Sequence, residues 1–431
     1  MRLLSRLSGK GFGPGDDEIA DAMDTFWQCT TCGRCTMACP MGLDNRSLFH
    51  LARRAYNESG LMARDPVLTG VDVGSGRRRN SFDLDPALIF LRMGAFAAHA
   101  GVEIPMDVPG ADYLFACSAV GNARLPDRGV QIPMLLNAAG IRYTLSTKIV
   151  DTGTDVVHVT DNHEIARAMI LALEGEALRL GARQLMISEC GCDARTFFVE
   201  CASILGRPLR VPVRHVDAVL LESIRAGRLP VEPSDVPVTF HDPCKLVRLA
   251  GLGDMERALL HLVARDVREM EPHGARNLCC NGGSGPLRLV RNQDLRRRVS
   301  ARKIEQLRAA NARRVVSPCA VCVLTLADLC AHGGLGMRAM MMFELVFEAV
   351  AKALGPSRES FSGAPVLRGL SPEARKAHLL ETHLESIRAN GGMTGIVEAM
   401  RNDPATERWA EGRAGAKEFL ERWWTKFGGA R

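Results

Sequence analysis

A chain of 431 residues with 46% hydrophobic content is long enough for two or three domains with sizeable cores. Its formal net charge of +6 is mild for that length and aromatic residues make up only 5%, so a nucleic-acid-binding surface is not indicated. The unusual feature is 14 cysteines, in a chain whose opening MRLLSRLSGKGFGPG holds no apolar run of signal-peptide length; a reducing, cytoplasmic setting is expected, where clustered cysteines bind metal rather than pair as disulfides.

The first motif is CTTCGRCTMACP, with Cys29, Cys32, Cys35, Cys39 and Pro40. This C-x2-C-x2-C-x3-C-P run is the cubane-cluster signature of bacterial ferredoxins, in which three closely spaced thiolates converge on one [4Fe–4S] cube. The fourth cysteine serves the other cube in two-cluster ferredoxins. Here the run occurs once, so Cys39 is available to complete the same cluster. A zinc knuckle is the competing reading, but zinc sites usually pair two Cys-x2-Cys units at a distance.

Residues 44–66 read as a helix with Leu48, Phe49, Leu51, Ala52, Ala55 and Tyr56 on its apolar face. Gly70–Asn80 (GVDVGSGRRRN) reads as a glycine- and arginine-rich loop, and it lacks the GK[ST] of a P-loop. A helix from about Pro86 to Ala100 then links this module to the rest of the chain. No segment offers about 18 uncharged apolar residues. The best candidates, Ala87–Ala100 and Met337–Leu354, are broken by Arg92 and by Arg338, Glu344, Glu348 and Lys352.

From about Pro109 short apolar strands alternate with helices. Strands are expected at Tyr113–Cys117, Tyr143–Ser146 and Leu185–Ser188. Helices are expected at Val130–Ala139 and at Glu164–Leu180, the latter burying Ile165, Ala168, Met169 and Ala172. This alternation predicts parallel βαβ units, with ligands held where strands end.

The second half repeats the first. Val238–Phe240 leads to Cys244 as Tyr113–Phe115 leads to Cys117, 127 positions earlier. LRAANARRVVSPCAVC resembles LRLGARQLMISECGC, with Cys319 and Cys190 129 positions apart. Where the second copy has the adjacent pair Cys279–Cys280, the first has about Val150–Asp155 (VDTGTD), and its last element is Cys190-x-Cys192 instead of Cys319-x2-Cys322. The first copy therefore lacks a full cysteine set, and Cys117, Cys190 and Cys192 are left as further candidate ligands. Cys201 and Cys330 fall on helical patterns as core residues. His215 and His241 sit beside strands, the latter near enough to Cys244 to hydrogen-bond into a site. The last 75 or so residues read as charged helices bearing Trp409, Trp423 and Trp424, suited to docking on a partner.

The pattern Cys244-x34-Cys279-Cys280-x38-Cys319-x2-Cys322, with FHDPC before it and glycines after the pair, resembles the CCG-domain proteins. These include the catalytic subunits of heterodisulfide reductases and the related subunit of the sulfite-reductase-linked membrane complex. The resemblance covers about residues 25–350. SECGC and VPVRHVDAVL ahead of HDPC favour the fused, sulfite-reductase-associated type. Asn281 stands where that family has glycine, with Gly282 and Gly283 directly after it.

The resemblance implies a CCG-type noncubane [4Fe–4S] cluster on Cys244, Cys279, Cys280, Cys319 and Cys322, fed by the cubane on Cys29, Cys32, Cys35 and Cys39. It implies cleavage or formation of a disulfide at Cys279–Cys280. Gly282, Gly283 and Gly285 would leave one side approachable, and Lys245, Arg288 and Arg291 could supply positive charge there. The implied partners are other redox subunits, a haem-b or quinone-reactive membrane subunit, and a disulfide, thiol or sulfur-carrier substrate, the chain lying at most peripherally on the inner face of a membrane. The fold class expected is α/β, with a helical cluster module over residues 1–105, CCG-like halves over 106–232 and 233–355, and a helical tail over 356–431. The alternative is an electron-relay subunit of a flavin- or quinone-linked dehydrogenase without a substrate site of its own.

Overall fold

The computed structural model describes residues 16–83, 102–118, 120–121, 129–149 and 151–355, together with Ile89, Met93, Ala97 and Phe361. The expected 86–100 helix, those three residues apart, and the tryptophan-bearing tail lie outside the described residues.

The N-terminal module is helical: α1 (Asp16–Gln28), α2 (Arg34–Ala38), α3 (Asn45–Glu58) and α4 (Pro66–Arg78). Helix α4 corrects the loop expected at 70–80. Asp65 caps it by accepting from the Val67 and Leu68 N–H groups, Pro66 sits in its first turn, and Leu68, Val71 and Ser75 are buried. One of its glycines serves close packing, since a Cβ on Gly74 would lie 2.7 Å from the Asn80 carbonyl oxygen. Helix α3 also differs from expectation. It buries His50, Arg53 and Tyr56, while Leu48 and Leu51 are about 60% exposed. Arg53 wins the inner face because it donates to three carbonyls: Phe26 at 2.8 Å, Cys29 at 2.6 Å and His158 at 2.8 Å.

Beyond the module, the chain builds one plan twice. The first copy runs β1 (Tyr113–Ala116), α5 (Gln131–Ala138), β2 (Tyr143–Thr144), α6 (His163–Arg179), β3 (Gln184–Ile187), α7 (Gly191–Arg195), α8 (Cys201–Leu205), β4 (Val213–His215) and α9 (Val216–Arg225). Its sheet is parallel with order β2-β1-β3-β4, Tyr113 pairing with both Tyr143 and Gln184. The buried stripe of α6 is Ala166, Met169, Ile170, Leu173 and Ala177, shifted from the expected one; Ala168 is exposed.

The second copy runs β5 (Val238–Phe240), α10 (Gly253–Val263), α11 (Gln293–Val299), α12 (Ala301–Ala310), β6 (Arg314–Ser317), α13 (Ala320–His332), β7 (Arg338–Met341) and α14 (Met342–Leu354). Its parallel order is β5-β6-β7, and a single parallel bridge from Val238 to Val267 stands where β2 stands in the first sheet. Met337–Leu354 is thus a strand and a helix. Among the described residues no helix is long and apolar enough to cross a membrane.

Strand alternation decides what each face of the first sheet meets. Leu114, Leu185 and Ile187 join a core with Trp27, Tyr56 and Leu68 of the N-terminal module. Phe115 and Met186 join another with Phe240, Leu260 and Val316 of the second copy. The first sheet is therefore a middle layer, and the strand ends of both copies converge beside the module.

Candidate metal centre

The cysteines leave the strands where parallel sheets place their sites. After β5, Asp242 is pinned by Arg257 at 2.7 Å and by the Gly274 N–H at 2.7 Å, and the chain turns into an irregular wide helical turn, Cys244–Leu249. After β6, Cys319 caps α13 and Cys322 lies one turn in. After β3, Cys190 and Cys192 flank Gly191, which packs on the HDPCK loop so closely that a Cβ would lie 3.5 Å from Lys245 Cβ and 3.7 Å from Cys319 Sγ.

These loops produce an unbroken run of sulfur contacts. Cys32 and Cys244 both meet Cys279; Cys279 meets Cys280, whose sulfur is 3.3 Å from that of Cys322; Cys322 meets Cys319, Cys319 meets Cys190, and Cys190 meets Cys192. The thiols along the run divide into two sets. Contact with Cys279 pushes Cys32 and Cys244 up, and contact with their own neighbours pushes Cys322 and Cys190 up. The acceptors Cys279, Cys280, Cys319 and Cys192 are pulled down. So dense a set cannot ionise together in a buried place without a cation to neutralise it.

The N-terminal loop forms one wall. Thr30 Oγ1 is 3.5 Å from Cys279 Sγ, the Thr31 hydroxyl is 2.8 Å from that of Ser284, and Arg248 donates to the Cys32 carbonyl at 2.7 Å. Arg34 donates to the Arg276 and Asn277 carbonyls at 2.6 and 2.9 Å. Of the three glycines after the cysteine pair, Gly282 and Gly285 do not open a face, whereas a Cβ on Gly283 would meet nothing closer than Lys245 Nζ at 3.9 Å. A Cβ on Gly282 would lie 2.0 Å from Thr325 Oγ1, and one on Gly285 would lie 3.0 Å from Trp27 Cδ1. Gly282 and Gly285 let α13 and the N-terminal module close in, which corrects the expectation of an approachable side at those two positions. Asn281 has φ 65°, the left-handed conformation that glycine adopts freely and asparagine tolerates, and its amide donates to Ser300 at 2.9 Å.

Of the three cations suggested by sequence, one is in the site. Lys245 is buried, with Nζ 3.2 Å from Cys192 Sγ and 2.6 Å from Ser284 Oγ. Arg288 instead pairs with Asp155 and stacks 4.2 Å from the Phe82 ring, and Arg291 binds Asp24 and Asp65 at 2.6 Å each; both are committed to holding the N-terminal module. Sequence reasoning passed over Lys303. It is buried, its Nζ donating to Gln306 at 2.6 Å within electrostatic reach of Cys280, Cys279 and Cys322, and burial lowers its pKa to about 8. Its spacing from Leu307 and Ala310 on α12 was the available signal. His241 lies with Cys280 and Cys322, their ligand atoms within 4.8 Å of one another, and neither ring nitrogen has a hydrogen-bond partner among the described residues.

These residues fit an iron–sulfur group: a buried set of soft sulfur donors, an orphaned imidazole able to donate to a sulfur, and two buried ammonium groups facing the negative charge such a group carries. Cys29 interacts with Cys32 and Cys35 of the same loop, with the Arg53 guanidinium beside it. Cys35 is exposed, and the thiol of Cys39 is held below its ordinary value by the Leu43 and Met41 N–H groups. Cys117 is not in the run. Its sulfur faces Glu189, Asp193 and Asp151, and it lines a small apolar cavity of about 30 Å³ with Ile104, Phe115, Pro133 and Leu145. Where the second copy has its cysteine pair, the first has Asp151 and Thr152–Thr154, followed by a wide turn at Val156–Thr160. Thr152 donates to Asp193 at 2.9 Å, so that place is held by oxygens. Cys201 and Cys330 are buried core residues.

The family model for the CCG cysteine-rich domain matches residues 238–327, so the chain carries that domain. Along 81% of its length the chain is 25% identical to one subunit of the dihydromethanophenazine:CoB–CoM heterodisulfide reductase of Methanosarcina barkeri, covering 84% of that protein. It is 27% identical to a probable membrane-anchored ferredoxin of Chromohalobacter salexigens over 73% of this chain and 46% of that one. To the EtfAB:quinone oxidoreductase of Syntrophomonas wolfei it is 23% identical, over 71% of this chain and 43% of that one. These relatives are redox proteins and redox-complex subunits.

Proposed function

We propose, for this CCG-bearing iron–sulfur oxidoreductase subunit, that it draws electrons one at a time through its N-terminal loop and uses them at the second-half cysteines on a disulfide or thiol substrate. In this reading Cys29, Cys32 and Cys35, with Cys39 or another donor, hold a cubane. Cys244, Cys279, Cys280, Cys319 and Cys322 hold a CCG-type noncubane cluster bordered by Cys190 and Cys192. The observation that carries the reading is the contact between Cys32 and Cys279, which leaves no protein layer between the two cysteine sets. When bound, the iron–sulfur groups supply single-electron storage; cleaving a disulfide takes two electrons and two protons and yields two thiols. Lys245 and Lys303 offset negative charge at the sulfurs, and His241 orients toward Cys280 and Cys322. Met37, Met41, Leu43, Leu48 and Leu51 are exposed around Cys35, a surface suited to a redox partner, which the similar proteins suggest is membrane-associated.

A second reading, electron relay without a substrate, is favoured by the packing of Gly282 and Gly285 against Thr325 and Trp27. Electron paramagnetic resonance of the anaerobically purified chain separates the two. A signal appearing on oxidation in the presence of thiol supports disulfide chemistry; cubane signals alone support relay. Cys279→Ala or Cys280→Ala should remove the second cluster and leave the cubane, and Cys29→Ala should do the reverse. Wild-type iron content and turnover in either of the first two variants would refute the proposed ligand set.

A further inference from the structure

We propose that His215, Asp217 and Glu256 form a zinc site that ties the two copies of the fold together. His215 ends β4 and Asp217 lies in the first turn of α9, both in the first copy; Glu256 comes from α10 of the second. All three are at most 2% exposed. His215 Nδ1 is 3.7 Å from Asp217 Oδ2 and 3.8 Å from Glu256 Oε1. One ligand atom from each lies within 4.8 Å of the others.

Apart from each other and His215, the two carboxyl groups have no side-chain partner among the described residues. All four of their oxygens lack a hydrogen-bond donor, and no lysine or arginine among the described residues pairs with either group. Two carboxylates without donors are among the costliest arrangements a protein interior can hold. A single shared proton leaves one negative charge buried. A divalent cation with a neutral imidazole leaves none, and it gives an oxygen of each acid a partner.

The spacing suits a small ion. Ligands about 2.1 Å from a tetrahedral zinc lie about 3.4 Å apart, and the two His215 distances, 3.7 and 3.8 Å, exceed that by only a few tenths of an ångström. The Nδ1 lone pair accepts only a long 3.3 Å bond from the Asp217 N–H. Magnesium and calcium prefer all-oxygen shells with more ligands, whereas one nitrogen and two carboxylates suit zinc. The site stands outside the sulfur run, so its metal is additional to any iron.

The test measures zinc and iron by mass spectrometry on the anaerobically purified full chain, followed by X-ray absorption at the zinc edge. We expect about one zinc per chain, with a nitrogen/oxygen shell free of sulfur. In the isosteric Asp217→Asn/Glu256→Gln variant zinc occupancy should fall at least tenfold while iron per chain is unchanged. Zinc far below one per chain, a sulfur-containing shell, or zinc retained in the variant overturns the proposal. The wild-type zinc content and shell decide the matter if the variant fails to fold. Unchanged iron distinguishes this site from the cysteine centre.

Discussion

Gly282→Ala is the sharpest single perturbation the second-half site offers. The added Cβ would stand 2.0 Å from Thr325 Oγ1, 3.1 Å from Thr325 Cβ and 3.2 Å from Val321 Cγ1. Thr325 is fully buried on α13 and its hydroxyl donates to the Val321 carbonyl at 2.7 Å, so it has little room to turn away. Relief must come from moving the turn that bears Cys279 and Cys280 or the helix that bears Cys322. Overpacking of this kind costs about 1–3 kcal/mol, and an overlap this deep belongs at the upper end. Thr325→Ala removes Oγ1 and leaves the 3.1 Å contact. Since the hydroxyl bonds only a carbonyl already inside a helix, that change alone should cost about 1 kcal/mol or less. Anaerobic urea denaturation of wild type, both single variants and the double variant closes a cycle. We expect Thr325→Ala to recover at least about 1 kcal/mol of the Gly282→Ala loss, and to restore iron content with it. Equal urea midpoints for wild type and Gly282→Ala, or no recovery in the double variant, would refute the packing argument.

Asn281 offers a milder test of the same turn. Asn281→Gly should be nearly neutral in stability, whereas Asn281→Ala should cost about 1–2 kcal/mol, because alanine resists φ 65° and leaves Ser300 without its donor; equal midpoints would contradict this. His50 predicts the acid sensitivity of the docked module. Burial lowers its pKa from 6.5 to about 3 despite Asp161, so the folded state keeps it neutral. The unfolded chain therefore takes up the proton first. The stability is present in full above pH 6.5 and is lost progressively as pH falls from there toward 3. Between about pH 7 and pH 5 the loss from this residue is about 2 kcal/mol, and His50→Gln should flatten urea midpoints over that interval by a matching amount.

Much of the plan could be read from residues alone because the signals were local. Short apolar strands between helices specified parallel units, and the matched spacing of Cys117, Cys190, Cys244 and Cys319 exposed the repeat. What escaped was decided by tertiary partners. The glycines of α4 looked like loop residues, but Asp65 and Pro66 start a helix there and Gly74 needs its missing side chain to pack. Arg53 has no place on the apolar face expected of α3, yet three backbone carbonyls drawn from separate segments receive it. Cys190 and Cys192 reach the second-copy cysteines while Cys117 does not, because the loop after β3 crosses onto the HDPCK turn and the end of β1 faces buried acids. No spacing rule encodes such a crossing.

The sulfur run also constrains how the protein can be made. Its members stretch from Cys32 to Cys322, so most of the chain must leave the ribosome before the last wall of the pocket exists. The CTTCGRC loop emerges early, yet its seat on Ser284, Arg248 and Asn277 is synthesised hundreds of residues later. Until then its thiols have no shelter from oxygen or stray metal. Biogenesis therefore favours delivery of iron and sulfide to a nearly complete chain. Slow synthesis under aerobic conditions should damage this end of the molecule first.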